Sequence, residues 1–248
     1  IEGIDNMKSI DRALIKYCHK LRSIYPDSNI IIGGIEASLR RLSHYDYWSD
    51  SVHKSILLDS KADLLLYGMG EKTIVEVADA LNSDLDVKDI IYIRNTVWKT
   101  TDPNLLPYEH DLLPSYNEVL KDKMNYVKSF QMQYKGTNPY LSNPLVEEYD
   151  GIYVIQNLPE FPLTREEMDM VYELPYMRPC HPLIESKGHV PAIDEVKFSI
   201  VSNRGCFGGC NFCALTFHQG RIIQSRSKES IVNEAKLLIK DKDFKGYI

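Results

Sequence analysis

The sequence predicts an α/β protein whose first hundred residues form a doubly wound parallel sheet, and three observations carry that prediction. Apolar runs at 30–32, 63–67 and 90–93 are too short for helices and read as buried strands. The first two run straight into glycine turns, Gly33-Gly34 and Gly68-Met69-Gly70-Glu71. Each turn opens onto a segment whose apolar residues recur at helical spacing, and strand, glycine turn and helix in alternation is the pattern of a parallel sheet covered by helices.

Each element follows in order. From Ser9 to Tyr25 apolar residues recur at Ile10, Ala13, Leu14, Tyr17, Cys18, Leu21 and Ile24, an amphipathic helix that Pro26 stops. Cys18 falls on its apolar stripe and reads as an inert core thiol. Glu36 to Leu42 is the helix after the first strand, with Glu36, Arg40 and Arg41 expected as surface charges. A helix carrying Ile74, Val75, Ala78 and Leu81 follows the second strand. Beyond Thr100 the chain turns proline-rich. Ser115 to Glu118 is a capping box for a helix with Val119, Leu120, Met124, Val127, Phe130 and Tyr134 on one face, ended by Gly136. Leu145 to Tyr149 and Ile152 to Gln156 flank Asp150-Gly151, a hairpin around a two-residue turn. Thr164 to Glu167 caps another helix, Val196 to Ser202 reads as a strand, Ser227 caps a helix through Leu238, and Phe244 to Ile248 reads as the next strand. The division expected is 1–100 for the α/β domain, 101–195 for a connector with helices and a hairpin, and 196–248 for the start of a further βα domain.

Hydrophobic residues at 44% and charged residues at 26% are values of a folded globular protein and exclude disorder as the main state. The net charge of −6, with no basic block, argues against a nucleic-acid grip. No apolar run has the length of a membrane span and no leader pattern opens the chain, so the expected setting is the cytoplasm, without a membrane partner.

Five cysteines are too few and too unevenly placed for a disulfide framework, and three fall together in Cys206-Phe-Gly-Gly-Cys210-Asn-Phe-Cys213. Random placement gives this C-x3-C-x2-C spacing in roughly two such sequences per thousand. Three thiolates in one loop suit one face of an iron–sulfur cube, and Gly205, Gly208 and Gly209 let the backbone bend around it with N–H groups toward the sulfurs. One iron would then lack a local protein ligand and stay open. The competing reading is a zinc site with His218 as fourth ligand, which would make the protein a noncatalytic zinc-stabilised binding module. Cys180-His181, between Pro179 and Pro182, is a rigid loop or a remote ligand pair.

The loop, with Phe212 before its last cysteine, resembles that of the radical S-adenosylmethionine (SAM) superfamily. More narrowly, Arg204 to Cys210, Phe217-His218-Gln219-Gly220-Arg221 and Gln224-Ser225-Arg226-Ser227 are similar to YgiQ-type radical SAM proteins. So are Gly33 to Arg41 and His44-Tyr45-Asp46-Tyr47-Trp48-Ser49-Asp50, and the similarity runs through nearly the whole chain. The resemblance implies a flavodoxin-like, cobalamin-binding-like parallel sheet followed by the start of a radical SAM (βα) barrel. It implies a [4Fe–4S] cluster on Cys206, Cys210 and Cys213, with SAM chelating the open iron. One-electron reduction then cleaves SAM to methionine and a 5′-deoxyadenosyl radical, which takes hydrogen from a substrate that the resemblance does not identify. A small electron donor is the implied partner, and Phe212 is expected to pack the cluster loop.

His218 and Arg221 are candidates to contact SAM or substrate, with structural hydrogen bonding as the other reading. The glycines at 33–34 and 68–70 are either tight turns or an anion cradle, and whether cobalamin binds is left open. The segment His44 to His53 reads as a loop packed by its aromatics or as a substrate-facing lid. A barrel needs more strands than follow Cys213, so the chain is expected to be part of a longer protein and not to cleave SAM in this form.

Overall fold

The computed structural model describes residues 12–210 and 212–248. In chain order these form α1 (Ala13–Ile24), β1 (Ile31–Ile32), α2 (Gly34–Leu39), β2 (His44–Asp46), β3 (Ser51–His53), α3 (Ile56–Asp59), β4 (Leu64–Leu66) and α4 (Glu71–Asn82). Then come β5 (Thr96–Thr100), β6 (Asp111–Leu112), α5 (Tyr116–Lys121), α6 (Lys123–Lys135), β7 (Leu145–Tyr149), β8 (Ile152–Gln156) and α7 (Arg165–Tyr172). The remainder is α8 (Pro182–Glu185), α9 (Ala192–Val196), β9 (Asn203–Arg204), α10 (Leu215–Gln219), β10 (Gln224–Ser225) and α11 (Lys228–Leu238). Two compact units result. The larger holds 12–161 together with 205–221, and the smaller holds 162–204 and 222–248 among the described residues.

The α/β class holds, and the larger unit is built on a six-stranded sheet of order β1-β4-β5-β8-β7-β6. β1 and β4 pair in parallel, Ile31 opposite Leu64, as the two strand–glycine–helix units predict. Past β4 the sheet departs from the expected parallel run: β5 pairs antiparallel with both β4 and β8, and β7 pairs antiparallel with β8 and parallel with β6. The cause is local. Residues 90–93 are not a strand, because the Asn157 side-chain amide donates to the carbonyls of Ile91 and Ile93, each at 2.9 Å, where a neighbouring strand would otherwise bond. Ile90 and Ile93 are buried in the layer under α4. Asn95 then takes a left-handed φ of 59° and turns the chain back along β4.

The hairpin β7–β8 matches its sequence pattern residue for residue. Asp150 and Gly151 have φ of 53° and 88°, the double positive φ of the turn that suits the strand twist, and Tyr149 lies opposite Ile152. Both capping boxes form, Ser115 with Glu118 and Thr164 with Glu167. The helix expected from 115 to 136 is interrupted at Asp122, whose carboxylate caps α6 by accepting the Met124 N–H at 2.9 Å. Of the six residues on the expected apolar face, only Val119 is buried; Leu120, Met124, Val127, Phe130 and Tyr134 are exposed. The core side of α6 is carried instead by Ser129 and Met132. Ile10 lies outside the described residues, and Tyr17, Leu21 and Ile24 of α1 are exposed while Cys18 is in the core, as expected.

Arg41 is not a surface charge. It is 3% exposed, its guanidinium sits over the Tyr67 ring, and it donates to Gln156 Oε1 at 2.6 Å and to the Ser38 carbonyl. A buried cation holding fixed acceptors is indistinguishable in sequence from a solvated one. Glu147 is likewise fully buried, accepting from the Ser43 N–H at 2.8 Å and from the hydroxyls of Ser43 and Tyr149. Burial pushes its carboxyl up.

In the smaller unit, the expected strand Val196 to Ser202 is a helix end and a turn, and Phe244 to Ile248 is also not a strand. Phe198 and Phe244 pack edge to face instead, 5.4 Å between centroids. The ladder here is the short antiparallel pair β9–β10, Arg204 opposite Gln224. Its centre is Arg226, buried against the Tyr172 ring and bonded to Glu234, Ser230 and the Val201 carbonyl. That accounts for Arg226 within the 224–227 motif. Ser227 caps α11, accepting the Ser230 N–H at 3.0 Å.

The segment His44 to His53 is the hairpin β2–β3 in the larger unit, His44 opposite His53. Asp46 is buried and accepts from Ser49 at 2.6 Å and Arg12 at 2.7 Å, which together hold its carboxyl well below the usual range. Tyr47 and Trp48 stand out at the tip, Trp48 86% exposed. Burial, only partly offset by a hydrogen bond to the Leu42 carbonyl, pushes the His44 imidazole down to about 4. Neutral His44 therefore stabilises the fold above pH 6.5, and that contribution is lost as pH falls from 6.5 to about 4. Its full worth is up to about 3 kcal/mol. Urea unfolding across this range is expected to show stability falling more steeply in the unsubstituted chain than in His44→Asn; equal slopes would refute the assignment.

Candidate functional site

The cysteine loop belongs to the larger unit and is closed at its base before any cysteine is considered. Gly205 N–H donates to Gln219 Oε1 at 3.1 Å and Cys206 N–H to the Gly220 carbonyl at 3.2 Å, so residues fourteen apart in sequence are held together. Gly220 has a φ of 82°, the left-handed bend that lets the chain after α10 return beside Cys206. Within the loop, Cys213 N–H donates to the Cys210 carbonyl at 3.1 Å.

Gly208 N–H donates to Cys206 Sγ at 3.4 Å, the amide-to-sulfur bond that the glycines predict. A side-chain carbon on Gly208 would come within 3.2 Å of Cys206 Sγ and 3.9 Å of Cys210 Sγ. Both sulfurs thus crowd the same side of that turn, and glycine leaves the room between them. Cys210 and Cys213 line one cavity of about 620 Å³ with Gly209, Thr216 and Phe217 on one side and Phe130, Gln131, Tyr134 and Lys135 of α6 on the other.

The thiols of Cys206, Cys210 and Cys213 form a donor set that could hold an iron–sulfur cluster or, with His218, one zinc ion. In a cube each thiolate bonds its own iron, so the sulfurs surround the group rather than meet at a point. A zinc site needs four ligands on one centre. Among the described residues, no three His, Cys, Asp or Glu side chains gather closely enough to hold one metal ion. His218, the fourth ligand of the zinc reading, has its Nδ1 3.1 Å from the Ser38 hydroxyl.

That contact ties the loop to the sheet. Ser38 is fully buried in α2, and its hydroxyl also accepts the Gly68 N–H at 2.8 Å. A side-chain carbon on Gly68, whose φ is 69°, would sit 3.4 Å from the His218 carbonyl. Three separate stretches of the sequence, Gly33 to Arg41, Gly68 to Glu71 and Phe217 to Arg221, therefore meet at one point. The Gly68 amide is used inside the protein, which supports the tight-turn reading of that glycine pair over an anion cradle.

The remaining candidates fall as follows. Arg221 lies over the Tyr134 ring, donates to its hydroxyl, and reaches the Phe207 carbonyl at 3.3 Å. Phe212 does not pack the loop: it is 92% exposed, and the aromatic packing is done by Phe217 against Phe130, 5.4 Å between centroids. His181 caps α8, its ring nitrogen accepting the Leu183 N–H at 3.2 Å, and Cys180 lies with it in the smaller unit. Phe130 and Tyr134 share the helix face that their spacing predicts, and that spacing carries no mark of the cysteine loop they meet.

The family described as "Radical SAM N-terminal" matches residues 2–199. A "UPF0313 protein" of Clostridium perfringens is 56% identical over 241 residues, covering 97% of this chain and 36% of that protein. A "UPF0313 protein" of Clostridium botulinum type A is 52% identical over 238 residues, covering 96% of this chain and 37% of that protein. The chain thus spans little more than a third of the length of these curated relatives. No helix among the described residues is long and apolar enough to cross a membrane.

Removing the Ser38 hydroxyl takes the acceptor from the half-buried Gly68 N–H and the His218 contact from α2. Ser38→Ala is expected to cost about 1–3 kcal/mol in urea unfolding. Ser23→Ala, at an exposed hydroxyl on α1, should stay within about 0.5 kcal/mol. A Ser38→Ala value as small as that control would show that this contact does not hold the loop.

Proposed function

The chain belongs to the radical SAM N-terminal family, and from that premise we propose that it carries the cluster-binding loop of an enzyme that cleaves SAM reductively to produce a 5′-deoxyadenosyl radical. The observation that carries the reading is the loop itself: three thiols in eight positions, with an amide N–H on the first sulfur and the other two facing a cavity. When bound, a [4Fe–4S] cluster with SAM on its open iron supplies one-electron cleavage of the SAM sulfonium bond, the electron coming from a small external donor.

The residues of this chain do the rest. Cys206, Cys210 and Cys213 would hold the cluster, as thiolates, through three of its irons. Gly208 N–H would stabilise negative charge on Cys206 Sγ and so favour the more negatively charged, reduced state of a bound cluster over the oxidised one. Phe130 and Phe217 present an apolar wall beside two of the sulfurs. Ser38, through His218, fixes α10 and with it the return of the chain beside Cys206. The substrate of the abstraction step is not specified by these groups.

The zinc-stabilised binding module is the second reading; His218, whose Nδ1 is engaged by the Ser38 hydroxyl, would join it through Nε2.

Anaerobic reconstitution with iron and sulfide tests the proposal. Cys206→Ala, Cys210→Ala and Cys213→Ala should each lose cluster uptake, while Cys18→Ala and Cys180→Ala retain it. A full cluster in any of the three loop variants, or one zinc per chain with no iron in the unsubstituted protein, would overturn the ligand assignment. Under dithionite, a protein of the relatives' full length should release 5′-deoxyadenosine from SAM, and its absence from a fully loaded protein would contradict the enzyme reading.

A further inference from the structure

Tyr134 stands in the last turn of α6 and meets the cysteine loop from two directions. Behind the loop, the Arg221 guanidinium lies 4.7 Å from the centroid of its ring and donates to its hydroxyl. Within the loop, a side-chain carbon on Gly209 would sit 3.7 Å from the same hydroxyl, so the phenol is in contact distance of the backbone between Cys206 and Cys210. Arg221 in turn donates to the carbonyl of Phe207, the residue after the first cysteine, at 3.3 Å. Phe217 packs on the Tyr134 ring at 5.9 Å.

A loop with three glycines and exposed aromatics at Phe207 and Phe212 has little packing of its own to fix it. The closure at Gly205 and Cys206 fixes its base but not its crown. Tyr134 and Arg221 supply the missing constraint: one residue from a helix more than seventy positions upstream of the first cysteine, and one from the segment just past the loop, joined by a hydrogen bond and a cation–π contact.

We propose that Tyr134, acting through Arg221, is a positioning residue that holds the crown of the cysteine loop, at Phe207 and Gly209, in the form that retains the cluster. The proposal rests on the reading of Cys206, Cys210 and Cys213 as cluster ligands, and its test separates the two.

The first measurement uses the metal-free chain and mass spectrometry of iodoacetamide labelling at each cysteine. Tyr134→Phe removes the hydroxyl acceptor and keeps the ring, and Arg221→Gln removes the cation; neither residue is buried, so both variants are expected to fold. Labelling of half-buried Cys206 should speed up on the order of fivefold, what loss of one exposed cation–π or hydrogen-bonded contact allows, while exposed Cys210 labels fast throughout. Labelling of buried Cys18 should not change, and Tyr126→Phe, on the same helix, should label as the unsubstituted chain does. The double variant should exceed neither single one, because both remove the same clamp. Unchanged labelling in both singles, or effects that multiply in the double, would overturn the proposal.

The second measurement follows iron loss to a chelator after anaerobic loading. Faster loss in Tyr134→Phe and Arg221→Gln is expected; unchanged loss alongside faster labelling would also overturn the proposal. If the unsubstituted chain takes up no iron, the cluster reading fails, and the labelling still decides whether Tyr134 holds the loop.

Discussion

The buried hydroxyl of Ser38 is the constraint on which the rest of the larger unit depends. It accepts the Gly68 amide and contacts His218, while the Ser38 carbonyl takes the Arg41 guanidinium. Arg41 continues inward to Gln156 at the end of β8 and lies over Tyr67 just past β4. One serine therefore joins the helix after the first strand, the turn after the second, the hairpin strand and the cysteine loop. Each partner is polar and buried or half-buried, so the set gives the site its geometry at the cost of requiring every member to be satisfied. This explains why a loop rich in glycine returns to one place, and why charged Arg41 sits where an apolar residue would be expected.

Features set by near neighbours in the sequence are legible in it, and those set by distant partners are not. The β7–β8 hairpin, the capping boxes at Ser115 and Thr164, and the Ser227 cap were legible because each depends on residues two to five positions apart. The cysteine spacing was legible for the same reason. Contacts between distant residues leave no periodic trace: Ser38 and His218 lie 180 positions apart and Arg41 and Gln156 lie 115 apart. Residues 90–93 look like a strand because Ile90, Ile91 and Ile93 have strand composition, and it took the Asn157 amide to show that their carbonyls were already occupied. The expected strands at 196–202 and 244–248 failed because alternating apolar residues also serve packing between turns, as Phe198 and Phe244 do.

The same division applies to chemistry. Cysteines announce a site because few other roles demand three thiols in one loop, whereas Tyr134, Phe130 and Arg221 are ordinary residues given a role by where α6 places them. In this larger unit Phe130 and Tyr134, at the end of the apolar face that the sequence marks, meet the cysteine loop rather than the core, and the core takes Ser129 and Met132 of α6 instead. Apolar spacing identifies a face but not what the face meets.

The central claim is that the three loop thiols carry a cluster with one iron open to SAM. Low-temperature electron paramagnetic resonance of a reconstituted, dithionite-reduced protein of the relatives' full length, recorded with and without SAM, tests it most directly, because a ligand on an iron of the cluster alters the signal of the cluster itself. The account predicts a cluster signal whose shape changes when SAM is added and does not change with methionine-free buffer alone. A reduced cluster signal identical in the presence and absence of saturating SAM would contradict it.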